Sequence, residues 1–195
     1  MTLLHRREVV RMLLEEREGL LAVAGLGSSA WDCTVAGDHA LTFPLWGAMG
    51  SASMIGMGLA LAQPRRRVLV VTGDGEMLMG LGSLATIGAQ RPENLSIVVL
   101  DNERYGETGM QKTHTGYGVD LATVARACGF AEARIVRHDA ELGSMLSGVY
   151  RARGPLLFQV KVEAEALPLV LPPRDGNVLR HRFREALLGG SAANR

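Results

Sequence analysis

Two short apolar runs are the clearest feature of the hydrophobic pattern. Val68-Leu69-Val70-Val71 and Ile97-Val98-Val99-Leu100 are rich in β-branched residues, and each is long enough for a buried strand but too short for a typical helix. The predicted strands cover residues 20–24, 41–45, 68–71, 97–100, 133–136 and 155–162. The predicted helices cover residues 2–18, a segment capped by Ser28 or Ser29 that runs to 35, a small-residue segment ending at 62, and residues 76–90, 120–128 and 139–152. This alternation predicts an α/β fold: a doubly wound, mostly parallel sheet with helices on both faces.

The composition changes after Val162, which divides the chain into a domain of residues 1–162 and a C-terminal linker and helical arm of residues 163–195. The prolines at 168, 172 and 173 predict an extended linker. Residues 177–188 then have the spacing of an amphipathic helix, with Val178, Phe183 and Leu187 on its apolar face. We expect this face to dock on a partner subunit.

Composition and charge exclude several classes of protein. The 195 residues with 47% hydrophobic content suit one α/β domain with a buried sheet, and a net charge of +1 gives no reason to expect a nucleic-acid or membrane partner. Cys33 and Cys128 are too few and too far apart for a Cys-x-x-Cys metal site or an iron–sulfur cluster. Residues 1–11 are charged and have no apolar core followed by a cleavage site, so we expect a cytoplasmic protein.

Polar side chains follow both apolar runs. Asp74 lies between Gly73 and Gly75 after the first run, and Asp101-Asn102 follow the second. Because the carboxyl ends of parallel strands meet at one edge of a sheet, we expect Asp74 and Asn102 to lie close together. Carboxylate and amide oxygens suit Mg²⁺, which keeps few protein ligands and also binds phosphate oxygens, and the glycines let the backbone approach such a group. The residues therefore predict a Mg²⁺–diphosphate site.

Two further segments carry candidate chemistry. Residues 105–118 contain four glycines and no apolar periodicity, so they are predicted to form a loop at the same sheet edge. Lys112, Thr113, His114 and Thr115 in that loop offer a cation, hydroxyls and an imidazole for an anionic substrate or for proton transfer. Gly25-x-Gly27 is a possible phosphate loop, but it lacks the third glycine of a dinucleotide fingerprint, which disfavours an NAD site.

The spacing of these motifs resembles a family signature. Gly73-Asp74-Gly75, then the twenty-five residues 76–100, then Asp101-Asn102 is similar to the signature of thiamine diphosphate (ThDP) enzymes, in which Gly-Asp-Gly is followed by Asn-Asn. Asp101 departs from that pattern, and the second position keeps its asparagine. The resemblance implies that Asp74 and Asn102 bind Mg²⁺ through their side chains and that Arg104 binds it through its backbone carbonyl.

The resemblance also assigns the residues that would hold ThDP. A Gly-x-large-Gly segment precedes the diphosphate motif, so the Gly47 carbonyl would accept from the aminopyrimidine amino group and Met49 would wedge between the two rings. Such a bent cofactor makes removal of the reactive proton intramolecular. The remaining cofactor-binding residues by resemblance are Gly73, Gly75, Glu76, Tyr105 and Gly106, although Glu76 also suits the amino end of a helix for its charge alone.

A longer motif is similar to phosphonopyruvate decarboxylases and sulfopyruvate decarboxylase beta subunits. It reads Leu100-Asp-Asn-x-x-Tyr-Gly-x-Thr-Gly-x-Gln-x-Thr-His-Thr115, within a resemblance that covers residues 25–162. It implies the diphosphate-binding (PP) domain of a decarboxylase of small 2-oxo acids, with His114 as a catalytic residue and Lys112, Thr113, His114 and Thr115 as substrate contacts. Since one domain cannot supply the pyrimidine-binding (Pyr) part, a Pyr-domain partner is expected.

Other functions stay open at this point. A carboligase subunit of the acetolactate synthase type would use the same cofactor, and a non-catalytic ThDP-binding regulatory subunit would keep the same binding residues. A 2-oxoacid:ferredoxin oxidoreductase beta chain is disfavoured because two isolated cysteines cannot supply its cluster.

Overall fold

Strands and helices alternate along the chain in the computed structural model, which describes residues 3–190. The strands of the main sheet are β1 Leu21–Ala24, β2 Thr42–Pro44, β3 Val68–Gly73, β4 Leu95–Asp101, β7 Glu132–Val136 and β8 Leu156–Lys161, and a small separate sheet holds β5 Arg104–Tyr105 and β6 Gln111–Lys112. The helices are α1 Arg6–Glu15, α2 Ser28–Val35, α3 Ala52–Ala62, α4 Asp74–Met79, α5 Ser83–Gln90, α6 Leu121–Ala127, α7 Asp139–Arg151 and α8 Gly176–Leu188. In the part of the chain that the structure describes, no helix is both long and apolar enough to cross a membrane.

The main sheet is entirely parallel and has the strand order β2-β1-β3-β4-β8-β7. The chain adds β2 on one side of β1 and β3 on the other, so the strand order reverses between β1 and β3. In open α/β sheets ligands bind beside such a reversal, outside the carboxyl ends of the strands. β3 and β4 pair in register from Val68 opposite Leu95 to Gly73 opposite Leu100, which brings their polar ends to the same edge.

Both faces of the sheet are covered by helices, which confirms the predicted doubly wound fold. Along β3, Leu69 and Val71 pack into one core while Val68 and Val70 pack into the other. The first core contains residues of α1, α2 and α7, and the second contains residues of α3, α4, α5, α6 and α8. A strand buried on both faces needs apolar side chains at every position, which explains the unbroken apolar runs of the sequence.

The prediction of one helix over residues 76–90 is wrong, because the segment forms two helices that are separated at Gly80-Leu81-Gly82. A Cβ atom at Gly80 would lie 2.1 Å from the carbonyl oxygen of Gly50. Gly80, where the first of these helices ends, therefore lies in close contact with a distant loop.

The prediction of an irregular loop over residues 105–118 is also wrong in part. The strands β5 and β6 pair as an antiparallel hairpin, with Arg104 opposite Lys112, and a 3-10 helix covers His114–Tyr117. These elements are only two to four residues long, too short to produce a periodic apolar pattern.

Two predicted helix starts are shifted. α1 begins at Arg6, and Leu4 instead pairs with Val162 beside the sheet; Thr2, at which the helix was predicted to begin, lies outside the described residues. The N-cap of α2 is Gly27, and neither Ser28 nor Ser29 caps it, since both lie within the helix.

The arm packs on the chain's own core, which corrects the expectation that its apolar face is kept for a partner. Phe183 is buried in α8 and makes an edge-to-face contact with Phe43 of β2 at 5.5 Å between ring centroids. Leu187 packs against the same core, and only Val178 of the predicted face is exposed. β2, at the edge of the sheet, is three residues long and ends in Pro44. The domain boundary at residue 162 stays a prediction.

Replacing Phe183 by alanine tests this packing. We expect Phe183→Ala to lower the free energy of unfolding by about 3 kcal/mol, since it removes a buried ring, and urea denaturation measures the change. The control Val178→Ala alters an exposed residue of the same helix and should change stability by no more than about 0.5 kcal/mol. Equal effects of the two variants would contradict the packing of α8 on its own sheet.

Candidate cofactor-binding site

Asp74 and Asn102 lie at the edge of the sheet where β3 and β4 end, and both line one cavity of about 270 Å³. Nine of the residues predicted for the site line this cavity: Met49, Gly73, Asp74, Gly75, Glu76, Asn102, Arg104, Tyr105 and Gly106. The other five do not line it: Gly47, Lys112, Thr113, His114 and Thr115. The structure therefore brings the two halves of the motif together and leaves most of the following loop outside the cavity.

The carboxylate of Asp74 is buried and held by two threonines. Thr113 donates from Oγ1 to Oδ2 of Asp74 at 2.6 Å, and Thr115 Oγ1 lies 3.0 Å from the same oxygen. Both threonines are buried themselves, so in this structure they position Asp74 and do not face the cavity as the predicted substrate contacts. Both threonine oxygens lie near Oδ2, and no side chain of the described residues donates to Oδ1 of Asp74.

Burial raises the pKa of Asp74 to about 6. The hydrogen bond from Thr113 lowers this pKa and the nearby Asp101 carboxylate raises it, but the loss of water around Asp74 has the largest effect. Because burial disfavours the ionised form of Asp74, a cation bound beside it would stabilise that form. A divalent metal bound there would therefore compete with a proton at Asp74.

Asp101, which replaces the asparagine of the ThDP signature, is neutralised by a lysine. Lys161 at the end of β8 lies 2.7 Å from Oδ2 of Asp101 and also bonds Glu103 at 2.8 Å. Burial lowers the pKa of Lys161, but its hydrogen bonds to Asp101 and Glu103 outweigh burial and raise the pKa above the ordinary value. Gln159, Thr115 and the backbone N–H of Glu103 donate to the remaining lone pairs of Asp101. Asp101, in place of the asparagine of the signature, therefore anchors the turn that carries Asn102.

The turn after β4 aims Asn102 and Tyr105 at the cavity. Asn102 Oδ1 accepts from the backbone N–H of Arg104 at 3.0 Å, and Glu103 between them has a φ of +60°. The Tyr105 ring lies over Gly75, where a Cβ would come within 2.7 Å of it. Gly75 is thus required by close packing as well as by its place in the motif.

His114 and Lys112 lie on the outer side of this turn. His114 is exposed, and its Nδ1 is 3.4 Å from the hydroxyl of the cavity residue Tyr105. The Lys112 ammonium lies 4.6 Å from the centre of the Tyr117 ring. His114 thus contacts a cavity residue, whereas Lys112 contacts Tyr117.

Eight cavity residues were not predicted from the sequence as site residues: Arg6, Leu26, Ser28, Ser29, Leu100, Glu107, Thr108 and Val162. Arg6 is buried and donates from Nη1 to Oδ2 of Asp32 at 2.9 Å. A signal for it was present, because Arg6 has the spacing of the buried face of α1, which continues with Val9, Val10, Leu13 and Leu14. A charged residue on an apolar helix face indicates a buried polar partner or a site.

Glu76 is buried and lines the same cavity. Its Oε2 accepts from Thr72 Oγ1 at 2.7 Å, and its Oε1 has no hydrogen-bond partner among the described residues. Burial raises the pKa of Glu76, and the hydrogen bond from Thr72 opposes the rise. Glu76 therefore does more than complement the dipole of a helix.

The residues present fit a magnesium diphosphate group. The cavity edge offers a carboxylate oxygen of Asp74 without a side-chain partner and the amide oxygen of Asn102, which are hard ligands of the kind Mg²⁺ prefers. Gly73 and Gly75 put backbone at the cavity surface without side chains, and Ser28 and Ser29 add hydroxyls at the amino end of α2.

Residues 27–160 match the family described as "Thiamine pyrophosphate enzyme, C-terminal TPP binding domain". The chain belongs to this family. The fold agrees, since benzoylformate decarboxylase from Polynucleobacter necessarius superposes with a TM-score of 0.74 at 21% identity over 85% of this chain and 34% of that one.

Similar proteins are named decarboxylases. The chain is 41% identical to sulfopyruvate decarboxylase subunit beta of Methanocaldococcus jannaschii, over 64% of this chain and 66% of the relative. The subunit beta of Methanothermobacter thermautotrophicus is 34% identical over 97% of this chain and 98% of the relative. Phosphonopyruvate decarboxylase of Streptomyces hygroscopicus is 36% identical over 90% of this chain, which spans only 43% of that relative's length.

The pair of Asp101 and Lys161 yields a stability test. We expect Lys161→Met to lower the free energy of unfolding by about 3 kcal/mol, because it leaves the buried carboxylate without a counter-ion. The double variant Lys161→Met/Asp101→Asn should recover part of the loss, and Lys112→Met, which removes an exposed lysine, should change stability by no more than about 0.5 kcal/mol. Urea denaturation measures all three, and unchanged stability of Lys161→Met would contradict the pairing.

Proposed function

We propose that the chain is the ThDP- and Mg²⁺-binding subunit of a decarboxylase that acts on a small 2-oxo acid with an anionic tail, of the sulfopyruvate or phosphonopyruvate type. The observation that carries the proposal is the convergence of Asp74, Asn102 and the glycines around Asp74 on one cavity at the sheet edge. The names of the relatives support the reaction and the substrate class.

Each site residue has a place in this proposal. Asp74 and Asn102 would hold Mg²⁺ through their side chains and Arg104 through its backbone carbonyl, and Gly73, Gly75 and Gly106 would leave room for the diphosphate. Gly47 and Met49, on the loop between β2 and α3, would contact the ring end of the cofactor. ThDP, when bound, supplies an acceptor for the electron pair that remains as the carboxylate leaves as carbon dioxide.

The residues outside the cavity would act on the substrate. His114, whose Nδ1 lies 3.4 Å from the Tyr105 hydroxyl, would hold the substrate carboxylate or return a proton to the product. Lys112 is exposed on the same hairpin and would pair with the phosphonate or sulfonate tail. Thr113 and Thr115 would contribute indirectly, through the position of Asp74.

A partner subunit with a Pyr domain completes the proposal. Two relatives carry the name "subunit beta", which supports a hetero-oligomer. Met49 is 38% exposed at the cavity although it is a large apolar residue, and cover from a partner chain would bury it. The cytoplasmic location expected from the sequence stays a prediction.

Cofactor binding tests the metal site directly. We expect the full chain to bind ThDP in the presence of Mg²⁺ but not after chelation, and Asp74→Ala to weaken this binding by about 100-fold, at the upper end of the losses known for residues that support a metal. Isothermal titration calorimetry measures the affinities. Asp139→Ala, which removes an exposed carboxylate from α7, should bind as the original chain does; magnesium-independent binding would contradict the proposal.

Turnover tests the assignment of His114. In the enzyme reconstituted with a Pyr-domain partner, His114→Ala should lower kcat by about 100-fold, the usual contribution of a general acid or base, while the affinity for ThDP stays the same. Release of carbon dioxide from sulfopyruvate and phosphonopyruvate measures kcat. Val119→Ala, at an exposed position beyond the loop, is the control. Unaltered turnover of His114→Ala would remove the assignment, and absence of turnover in every variant with intact ThDP binding would favour a non-catalytic subunit.

A further inference from the structure

Arg6 is brought to the cavity by a contact between the chain before α1 and the chain after β8. Leu4 pairs with Val162 in a parallel bridge, and the backbone N–H of Glu163 donates to the carbonyl of Leu4 at 2.9 Å. Because Val162 directly follows β8, this bridge places the start of α1 at the carboxyl edge of the main sheet. The cavity lies at that edge, and Arg6, the first residue of α1, lines it.

The guanidinium of Arg6 is buried, but only part of it is bonded. Its Nη1 donates to Oδ2 of Asp32 at 2.9 Å, and among the described residues no hydrogen-bond acceptor is found for its Nε or Nη2. The Arg6 side chain is only 6% exposed. A guanidinium carries five N–H donors in a planar fork, so Arg6 keeps donors for a further acceptor in the cavity that it lines.

Asp32 fixes Arg6 and leaves a positive charge in excess. Arg7 donates from Nε to Oδ1 of Asp32 at 3.0 Å and from Nη2 to the carbonyl of Pro168. Two guanidiniums thus share one buried carboxylate, and the three side chains together keep one positive charge in excess. Neither Arg7 nor Asp32 lines the cavity, so Arg6 is the member of this cluster that does.

The charges around the cavity favour a role for this cation. Three carboxylates line the cavity, those of Asp74, Glu76 and Glu107. A diphosphate that enters such a cavity is repelled by them, and one Mg²⁺ at Asp74 offsets this only in part. Arg104 is the other cationic residue of the cavity, and its guanidinium bonds a backbone carbonyl. Arginine suits phosphate groups because its planar donors match their oxygens in pairs.

We propose that Arg6 is a further binding residue of the cavity, and that its remaining N–H groups donate to the diphosphate of the cofactor. The inference rests on the proposed function, because ThDP is assigned to this cavity there. Arg6 precedes the residues 27–160 that match the family, so the match itself gives it no role. Ser28 and Ser29 line the same cavity at the amino end of α2 and would serve the same anionic group. Lys112, outside the cavity, stays assigned to the substrate tail.

Two ligands that share the diphosphate test this inference. In Arg6→Gln the charge and the fork of donors are lost, and we expect the affinities for ThDP with Mg²⁺ and for inorganic pyrophosphate with Mg²⁺ both to fall by about tenfold, the scale of losing a charged hydrogen bond. Binding should still require Mg²⁺, because Asp74 and Asn102 are unchanged. Calorimetry on the full chain measures both affinities.

Arg7→Gln is the matched control. It removes the other guanidinium that holds Asp32, but Arg7 does not line the cavity, so both affinities should stay within about twofold of the original. Thermal unfolding shows whether each variant folds. If Arg6→Gln does not fold, Arg6→Lys keeps the charge and loses the paired donors, and it should lower both affinities by more than Arg7→Gln does.

The outcomes separate the inference from the proposed function. Unchanged affinities in Arg6→Gln would overturn the inference and leave the proposed function in place. Equal losses in Arg6→Gln and Arg7→Gln would also overturn it, since the effect would then come from the loss of support for Asp32. A higher KM for sulfopyruvate in the reconstituted Arg6→Gln enzyme, with unchanged pyrophosphate affinity, would assign Arg6 to the substrate and overturn it as well. An original chain that binds neither ligand would overturn the proposed function together with the inference.

Discussion

Two buried carboxylates, Asp74 and Asp101, share a bridging hydroxyl at the carboxyl edge of the sheet. Thr115 Oγ1 lies 3.0 Å from an oxygen of Asp74 and 2.7 Å from an oxygen of Asp101. A threonine hydroxyl carries one proton and donates to one acceptor at a time. This one group therefore does not satisfy both carboxylates. Lys161 pairs with Asp101, and Thr113 donates to Asp74.

This constraint also shapes the hairpin that follows β4. The side chain of Asp101 accepts from the N–H of Glu103, and the carbonyl of Glu103 accepts from the N–H of Thr113 at 3.0 Å. The hairpin is thereby closed at its base, which brings Thr113 and Thr115 under Asp74 and leaves His114 between them on the outside. Alternation of buried threonine, exposed histidine and buried threonine thus lets one short segment support the Asp74 carboxylate and present an imidazole to the solvent side.

The sequence predicts the sheet and the meeting of Asp74 and Asn102 at one cavity well because both depend on local pattern. Continuous apolar runs identify β3 and β4, and the polar residues directly after them must meet once the strands are parallel neighbours. Gly80 lies in close contact with the carbonyl of Gly50, thirty residues earlier, and Phe183 packs on Phe43. Contacts between residues so far apart leave no periodic signal. Thr113 and Thr115 were assigned to the substrate because residue type alone does not tell a buried hydroxyl from an exposed one.

The short strand β2 has a consequence for assembly. It forms one edge of the main sheet, has three residues and ends in a proline, which has no N–H group. Such an edge offers a second chain very few free backbone groups, so growth of the sheet by addition of a foreign strand is disfavoured there. Association with another polypeptide at that side then depends on side-chain complementarity, which discriminates between partners far better than backbone pairing does.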